Sequence, residues 1–321
     1  MFKLLATKPL EAILYESAET GEHTLKRSLG ALNLISLGIG AVIGTGIFVL
    51  TGPAAALYAG PAVVYSFIVA AVACVFAGLC YAEFAAMIPV AGSAYTYGYA
   101  TLGELFAWII GWDLVLEYAF GAATVCSGWS GYVLSLLQDF HIRLPPAIAG
   151  TPGSVFVYWN GHWELLNRVA TKLMELGIDP ATLPHKYGVF NLIAFIGIMF
   201  TTAILVIGIK ESANFNNVIV AVKLIVLVIF LVIGIHTLWM QPNLLKLNWH
   251  PFLPPNTGTF GHFGISGVIR AAGVSFFAYI GFDAGAMAAQ EGKNPKRDMP
   301  IGIVGSLVIC TILYILVAGV L

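Results

Sequence analysis

The chain has 321 residues, 59% of them hydrophobic and only 10% charged, with a net charge of −1. A soluble domain carries about 25% charged residues, and a fold of this length cannot hide so much apolar surface from water, so the bilayer is the solvent that fits. The near-neutral balance excludes a basic field for nucleic acid and an acidic tail.

In chain order, residues 1–30 mix acids and bases and lack a short apolar core followed by a small-residue cleavage site. They read as a cytoplasmic N-terminal segment, not a signal peptide. A helix needs about 20 apolar residues to cross the bilayer. Arg27 and Glu83 bracket a stretch with no charge and no histidine, room for spans at 31–57 and 61–88 hinged at Ala59-Gly60-Pro61. A third span is expected at 103–137, followed by a polar outer loop at 138–186 whose four basic and four acidic residues cancel. Further spans are expected at 187–208, 215–238, 266–290 and 301–321. The expectation is an all-α integral membrane protein with about seven transmembrane helices in a domain at 31–321.

Placing the N-terminus in the cytoplasm puts Lys3, Lys8, Lys26, Arg27, Lys210, Lys293, Lys296 and Arg297 inside, against Arg143, Arg168, Lys172, Lys186 and Lys246 outside. Eight against five favours that orientation. All four cysteines (Cys74, Cys80, Cys126 and Cys310) fall in apolar runs and read as small buried hydrophobes rather than a disulfide framework. The seven histidines are scattered without ligand spacing, so no metal site and no cofactor are expected. Residues 301–321 stay apolar to the last residue, an ending that reads as a cut.

Two segments carry chemistry. In Gly38-Ile39-Gly40-Ala41-Val42-Ile43-Gly44-Thr45-Gly46-Ile47-Phe48 four glycines crowd mid-span, each weakening a helix by about 1 kcal/mol relative to Ala. Close helix packing through small residues is one explanation. A nucleotide loop is excluded, since no GK[ST] follows. The functional explanation is a discontinuous helix, in which Gly44, Thr45 and Gly46 point N–H groups at an anion while carbonyls near Ile39 and Gly40 accept from an ammonium. The second segment, Phe276-Phe277-Ala278-Tyr279-Ile280-Gly281-Phe282-Asp283-Ala284-Gly285, also combines mid-span glycines with an acid. Two interrupted spans, first and sixth, are what a five-plus-five inverted repeat requires.

Charges within the membrane cost about 2.5–3.5 kcal/mol each on insertion scales. Glu83 and Arg270 lie near span ends, where snorkelling suffices. Asp113 and Glu117 share one face of span three and either bond neighbouring backbone or face a cavity. Lys223, midway in NVIVAVKLIVLVIF, is either half of a buried salt bridge or a built-in cation that exchanges its proton during transport.

At these residues the chain resembles the amino acid–polyamine–organocation (APC) superfamily, and within it the bacterial relatives of the cationic amino acid transporters. The resemblance is carried by GIGAVIGTGIF (38–48), CYAEFAAMIPVAGSAYTYGY (80–99), GWDLVLEY (111–118), FFAYIGFDA (276–284) and EGKNPKRDMPIGI (291–303), in family order. It implies a leucine-transporter-like inverted-repeat fold, here with the first repeat complete and the second incomplete. Ile43, Gly44, Thr45 and Gly46 match the unwound segment that holds a substrate carboxylate. Ile39 matches a carbonyl that receives the substrate ammonium, and Phe277, Ala278 and Ile280 match the carbonyls that complete that site. Glu117 matches an acidic position near the substrate pocket. Lys223 matches a lysine that stands where sodium-coupled relatives hold a cation; with Asp283 it is the ion-coupling candidate. The implied partners are an amino acid substrate, protons and lipid, in the cell membrane. Arg270, the length of the outer loop and the end after span seven depart from the family pattern.

The function expected is therefore a proton-coupled amino acid permease, and not an enzyme. An intramembrane aspartyl protease built on Asp113 and Asp283 is a competing reading, although the sequence around each departs from the usual motif. A non-transporting amino acid sensor, partner subunit or inactive truncated permease is the other.

Overall fold

The computed structural model describes residues 4–18, 29–207 and 209–321. Lys3, Lys26 and Arg27 of the charge count and residue 208 at the end of expected span four lie outside the described residues. The chain divides into two compact units, one formed by Met1–Leu116 with Asn214–Leu321 and the other by Glu117–Ala213.

The first unit begins with a strap that leads into helix α1 (Leu10–Ala18). Helix α2 (Ala31–Val42) starts the glycine-rich segment. After a bend, the chain continues through π-helical turns at Gly46–Leu50 and Ala55–Ala59. A corner at Gly60, with φ of 62°, turns it into α3 (Val63–Met87). Only glycine takes that conformation without strain. Helix α4 (Ser93–Thr101) leads to α5 (Glu104–Asp139), which runs on into the second unit. The strap satisfies the start of α5: the Glu104 and Leu105 amides donate to the Ala6 and Leu4 carbonyls at 3.1 and 2.8 Å. First-turn amides of a helix have no acceptor of their own. Ile13 of α1, 4% exposed, packs in a cluster with Leu34, Ala82, Ala85, Met299 and Ile303.

In the second unit, the segment expected as an outer loop holds a three-stranded antiparallel sheet of order β2-β1-β3. Its strands are β1 (Val155–Trp159), β2 (His162–Leu165) and β3 (His185–Tyr187). The β1–β2 turn uses Asn160 and Gly161 at positive φ, as a two-residue hairpin requires. Helix α6 (Leu166–Glu175) lays Val169 and Leu173, one turn apart, on Val157 of the sheet. The membrane part is helical as expected; the sheet is an addition to it. Helix α7 (Leu192–Ile207) starts five residues later than the expected boundary of 187. Tyr187 is drawn into β3, and the Asn191 side chain caps the helix by accepting from the Ala194 amide at 2.9 Å.

Helix α8 (Ile209–Met240) carries the chain back to the first unit. There α9 (Gly264–Phe276) and α10 (Pro295–Val320) complete it. Helix α10 begins six residues before the apolar run at 301, because Pro295 suits a first helical position and Asp298 accepts from the Asn294 amide at 3.1 Å. Among the described residues five helical runs are long and apolar enough to cross a membrane, not seven. Two expectations account for the difference. Residues 31–57 and 61–88 fall in one 57-residue run, which at 1.5 Å per residue exceeds the roughly 30 Å hydrocarbon core more than twice over. Leu192–Val206 is a shorter apolar helix.

Small residues set the spacing of α2, α3 and α10. A Cβ at Gly38 would lie 2.4 Å from the Ser306 hydroxyl, one at Gly302 2.6 Å from Leu34, and one at Gly78 2.6 Å from Leu307. A Cβ at Gly44 would meet nothing within 4 Å. Gly38→Ala is therefore expected to cost about 1–3 kcal/mol through overpacking, whereas Gly44→Ala leaves folding unchanged. Melting of the detergent-solubilised protein checks this, with Ser306→Gly expected to restore the Gly38→Ala variant.

Candidate functional site

The site is built where α2 and α9 stop. The last turn of a helix leaves carbonyls without partners, and in a bilayer each unsatisfied polar group costs several kcal/mol. At the end of α2, the Ile39 carbonyl accepts from the Ile43 amide at 3.0 Å. The Gly40 and Ile43 carbonyls both accept from the Lys223 ammonium of α8, the latter at 2.7 Å. The Val42 carbonyl accepts from the Tyr314 hydroxyl of α10 at 2.9 Å. Ile43 then leaves the helix at φ −74°, ψ 101°. Beyond the bend Thr45 is back in helical geometry, and its neighbours begin a new first turn whose amides point back at the gap. The Thr51 hydroxyl, 1% exposed, donates to the Ile47 carbonyl at 3.0 Å and so supports the loosened π-helical turn.

The opposing break follows α9. A single 3-10 turn, Phe277–Tyr279, ends at Ile280 (φ −55°, ψ 135°) and Gly281 (φ 103°). A short helix, Ala284–Met287, restarts after Asp283. The two breaks touch. A Cβ at Gly46 would lie 2.3 Å from the Ala278 backbone, and one at Gly281 would lie 3.0 Å from the Ala41 carbonyl. The Ala278 carbonyl accepts from the same Tyr314 hydroxyl at 2.7 Å.

Ile43, Gly46, Ala278 and Lys223 thus share one neighbourhood, with Ile39, Gly44, Thr45, Phe277 and Ile280 adjoining them along the chain. Gly38 and Gly46 both serve close approach, to Ser306 and to Ala278, whereas Gly44 meets nothing and lies in the break between them. Lys223 forms no salt bridge with any described carboxylate; its partners are backbone carbonyls. Asp283 is 4% exposed at the start of its short helix. Asp113 is exposed on α5. Glu83 is exposed. Arg270, also exposed, stacks over the Tyr58 ring at 4.4 Å and contacts His262. Glu117 is half-buried on α5 in the second unit.

Tyr314 and Ser275 escaped the sequence reading. Tyr314 is 0% exposed, and a buried phenol seeks a hydrogen-bond partner. That rule applied to a tyrosine amid the apolar run of span seven was the available signal. The Ser275 hydroxyl, in the last turn of α9, is buried without a partner among the described residues.

The family model described as "Amino acid permease" matches residues 29–321. The chain is 44% identical over 321 residues to a methylthioribose transporter of Bacillus subtilis, covering all of this chain and 59% of that protein. It is 46% identical over 305 residues to the branched-chain amino acid permease BcaP of Bacillus subtilis, covering 95% of this chain and 56% of that one. It is 36% identical over 319 residues to the human cationic amino acid transporter 4, covering 99% and 43% respectively. The chain therefore spans well under two thirds of the length of these relatives. With the family model matched over nearly its whole length, the chain is a multi-pass membrane protein that belongs to the amino acid permease family.

Proposed function

We propose that this chain carries the substrate site of a secondary amino acid transporter of the cell membrane, with its N-terminus in the cytoplasm. The observation that supports the reading is the direct apposition of two interrupted helices, at Gly46 and Ala278. An amino acid presents an anion and a cation a few ångströms apart. Amides of Gly44, Thr45 and Gly46 suit the carboxylate. Carbonyls of Ile39, Phe277, Ala278 and Ile280 suit the ammonium.

In this reading residues 31–321 form the transporter domain, residues 138–186 its outer loop, and the arrangement is part of a five-plus-five inverted repeat. Alternating access moves α2, α3, α9 and α10 as one block; the core cluster they share also takes in Leu227 and Leu231 of α8, which that motion would have to release. Lys223 is the coupling residue. Charged, it grips the end of α2 through Gly40 and Ile43; deprotonated, its grip weakens and the block can leave α8. Asp283 is the second coupling candidate.

The relatives' names define the substrate panel: branched-chain and cationic amino acids, and methylthioribose. The last has neither ammonium nor carboxylate, so recognition by backbone dipoles favours the amino acids. Uptake of each labelled compound into proteoliposomes tests the reading; uptake of methylthioribose alone would contradict it. With an inward proton gradient, wild-type uptake is expected to rise, and Lys223→Met is expected to abolish that response. Gradient-driven uptake that persists in Lys223→Met would sink the coupling role.

A further inference from the structure

The hydroxyl of Tyr314 reaches carbonyls on both sides of the site. It lies 2.9 Å from the Val42 oxygen, the last residue of α2, and 2.7 Å from the Ala278 oxygen, in the turn that ends the first half of span six. One phenolic proton serves both acceptors. The ring has little freedom, because Phe67 and Tyr279 lie against it with centroids 5.4 and 5.1 Å away. The side chain is wholly buried, so water is not at hand to replace its bonds.

We propose that Tyr314 is a positioning residue that fixes the spacing of the two interrupted helices, and with it the width of the substrate gap. The proposal rests on reading that gap as an amino acid site. Its logic differs from that of Lys223, whose bonds to the same stretch of α2 come from α8. An ammonium can surrender its proton, while the phenol keeps its own at physiological pH. The end of α2 thus has one releasable tie, to α8, and one lasting tie, to α10 and to the end of α9. When the lysine tie opens, the two breaks stay in register and move together.

Tyr314→Phe keeps the ring and removes only the hydroxyl. Ser306→Ala is the control: it removes another fully buried hydroxyl of α10, whose bond to the Ile303 carbonyl stays within the helix. Uptake of tritiated L-leucine and L-arginine by the reconstituted chain gives the kinetic readout. Tyr314→Phe is expected to raise KM about tenfold, with kcat within about twofold of wild type; Ser306→Ala leaves both unchanged. A second readout needs no substrate. Cys74 and Cys310 are both fully buried in the cluster around Tyr314, so N-ethylmaleimide reaches them only when that cluster opens. In a Cys80→Ser, Cys126→Ser background, Tyr314→Phe is expected to speed their labelling about tenfold. Unchanged labelling overturns the tie, whatever the transport result. Faster labelling with an unchanged KM overturns its role in setting the gap. If wild-type chain takes up neither amino acid, the transport reading fails while the labelling still judges the tie.

Discussion

An interrupted helix inside a bilayer leaves backbone groups that water cannot reach, and the rest of this site follows from how they are satisfied. At the end of α2 three demands, from Gly40, Val42 and Ile43, are met by two side chains. Neither comes from α2 itself. The break is therefore held open by its neighbours α8 and α10, and it cannot close into a continuous helix without breaking the bonds of the half-buried Lys223 ammonium and one of the two bonds of the buried Tyr314 phenol. Leaving either donor unsatisfied costs about 1–3 kcal/mol, more for the charge. That penalty is comparable to what the mid-span glycines already remove from helix stability, about 1 kcal/mol each. Weak helix and strong outside donors act in the same direction.

The two sides of the break differ in kind. On the α2 side the Gly40, Val42 and Ile43 carbonyls accept from Lys223 and Tyr314. On the far side the helix resumes at Thr45 and Gly46, and an anion is the natural complement to a helix N-terminus. The second break supplies carbonyls across a separation so short that a single methyl group on Gly46 would strike Ala278. Glycine at 46 thus serves close approach, just as glycine at 38 serves the packing of α2 on α10.

Much of this was legible in the sequence, because glycines and charges are rare in spans and their positions stand out. Lys223 was conspicuous for that reason, although its partners were not: a lysine advertises that it needs an acceptor, not whether that acceptor is a carboxylate or a carbonyl. Tyr314 was hidden by its surroundings. Within ICTILYIL it passes for one more apolar side chain, and only its hydroxyl, which hydropathy ignores, tells otherwise. The small sheet was hidden by composition. Its charges and prolines suggest a loop, yet Asn160-Gly161 between two aromatic-rich runs is a strong hairpin signal. Span edges slipped by several residues wherever a cap, such as Asn191 or Pro295, rather than the apolar run, decided where the helix begins.

Recognition of both ends of an amino acid by backbone dipoles can be measured without transport. Labelled L-leucine or L-arginine, whichever binds the purified chain more tightly, would be competed with its own methyl ester and its N-acetyl form. The ester removes the carboxylate charge and the acetyl group removes the ammonium charge, while the side chain is untouched. If Gly44–Gly46 and the carbonyls of Phe277–Ile280 hold the ligand, neither derivative should compete. Competition by both at the strength of the parent amino acid would show that recognition lies in the side chain and that the two breaks are not the site.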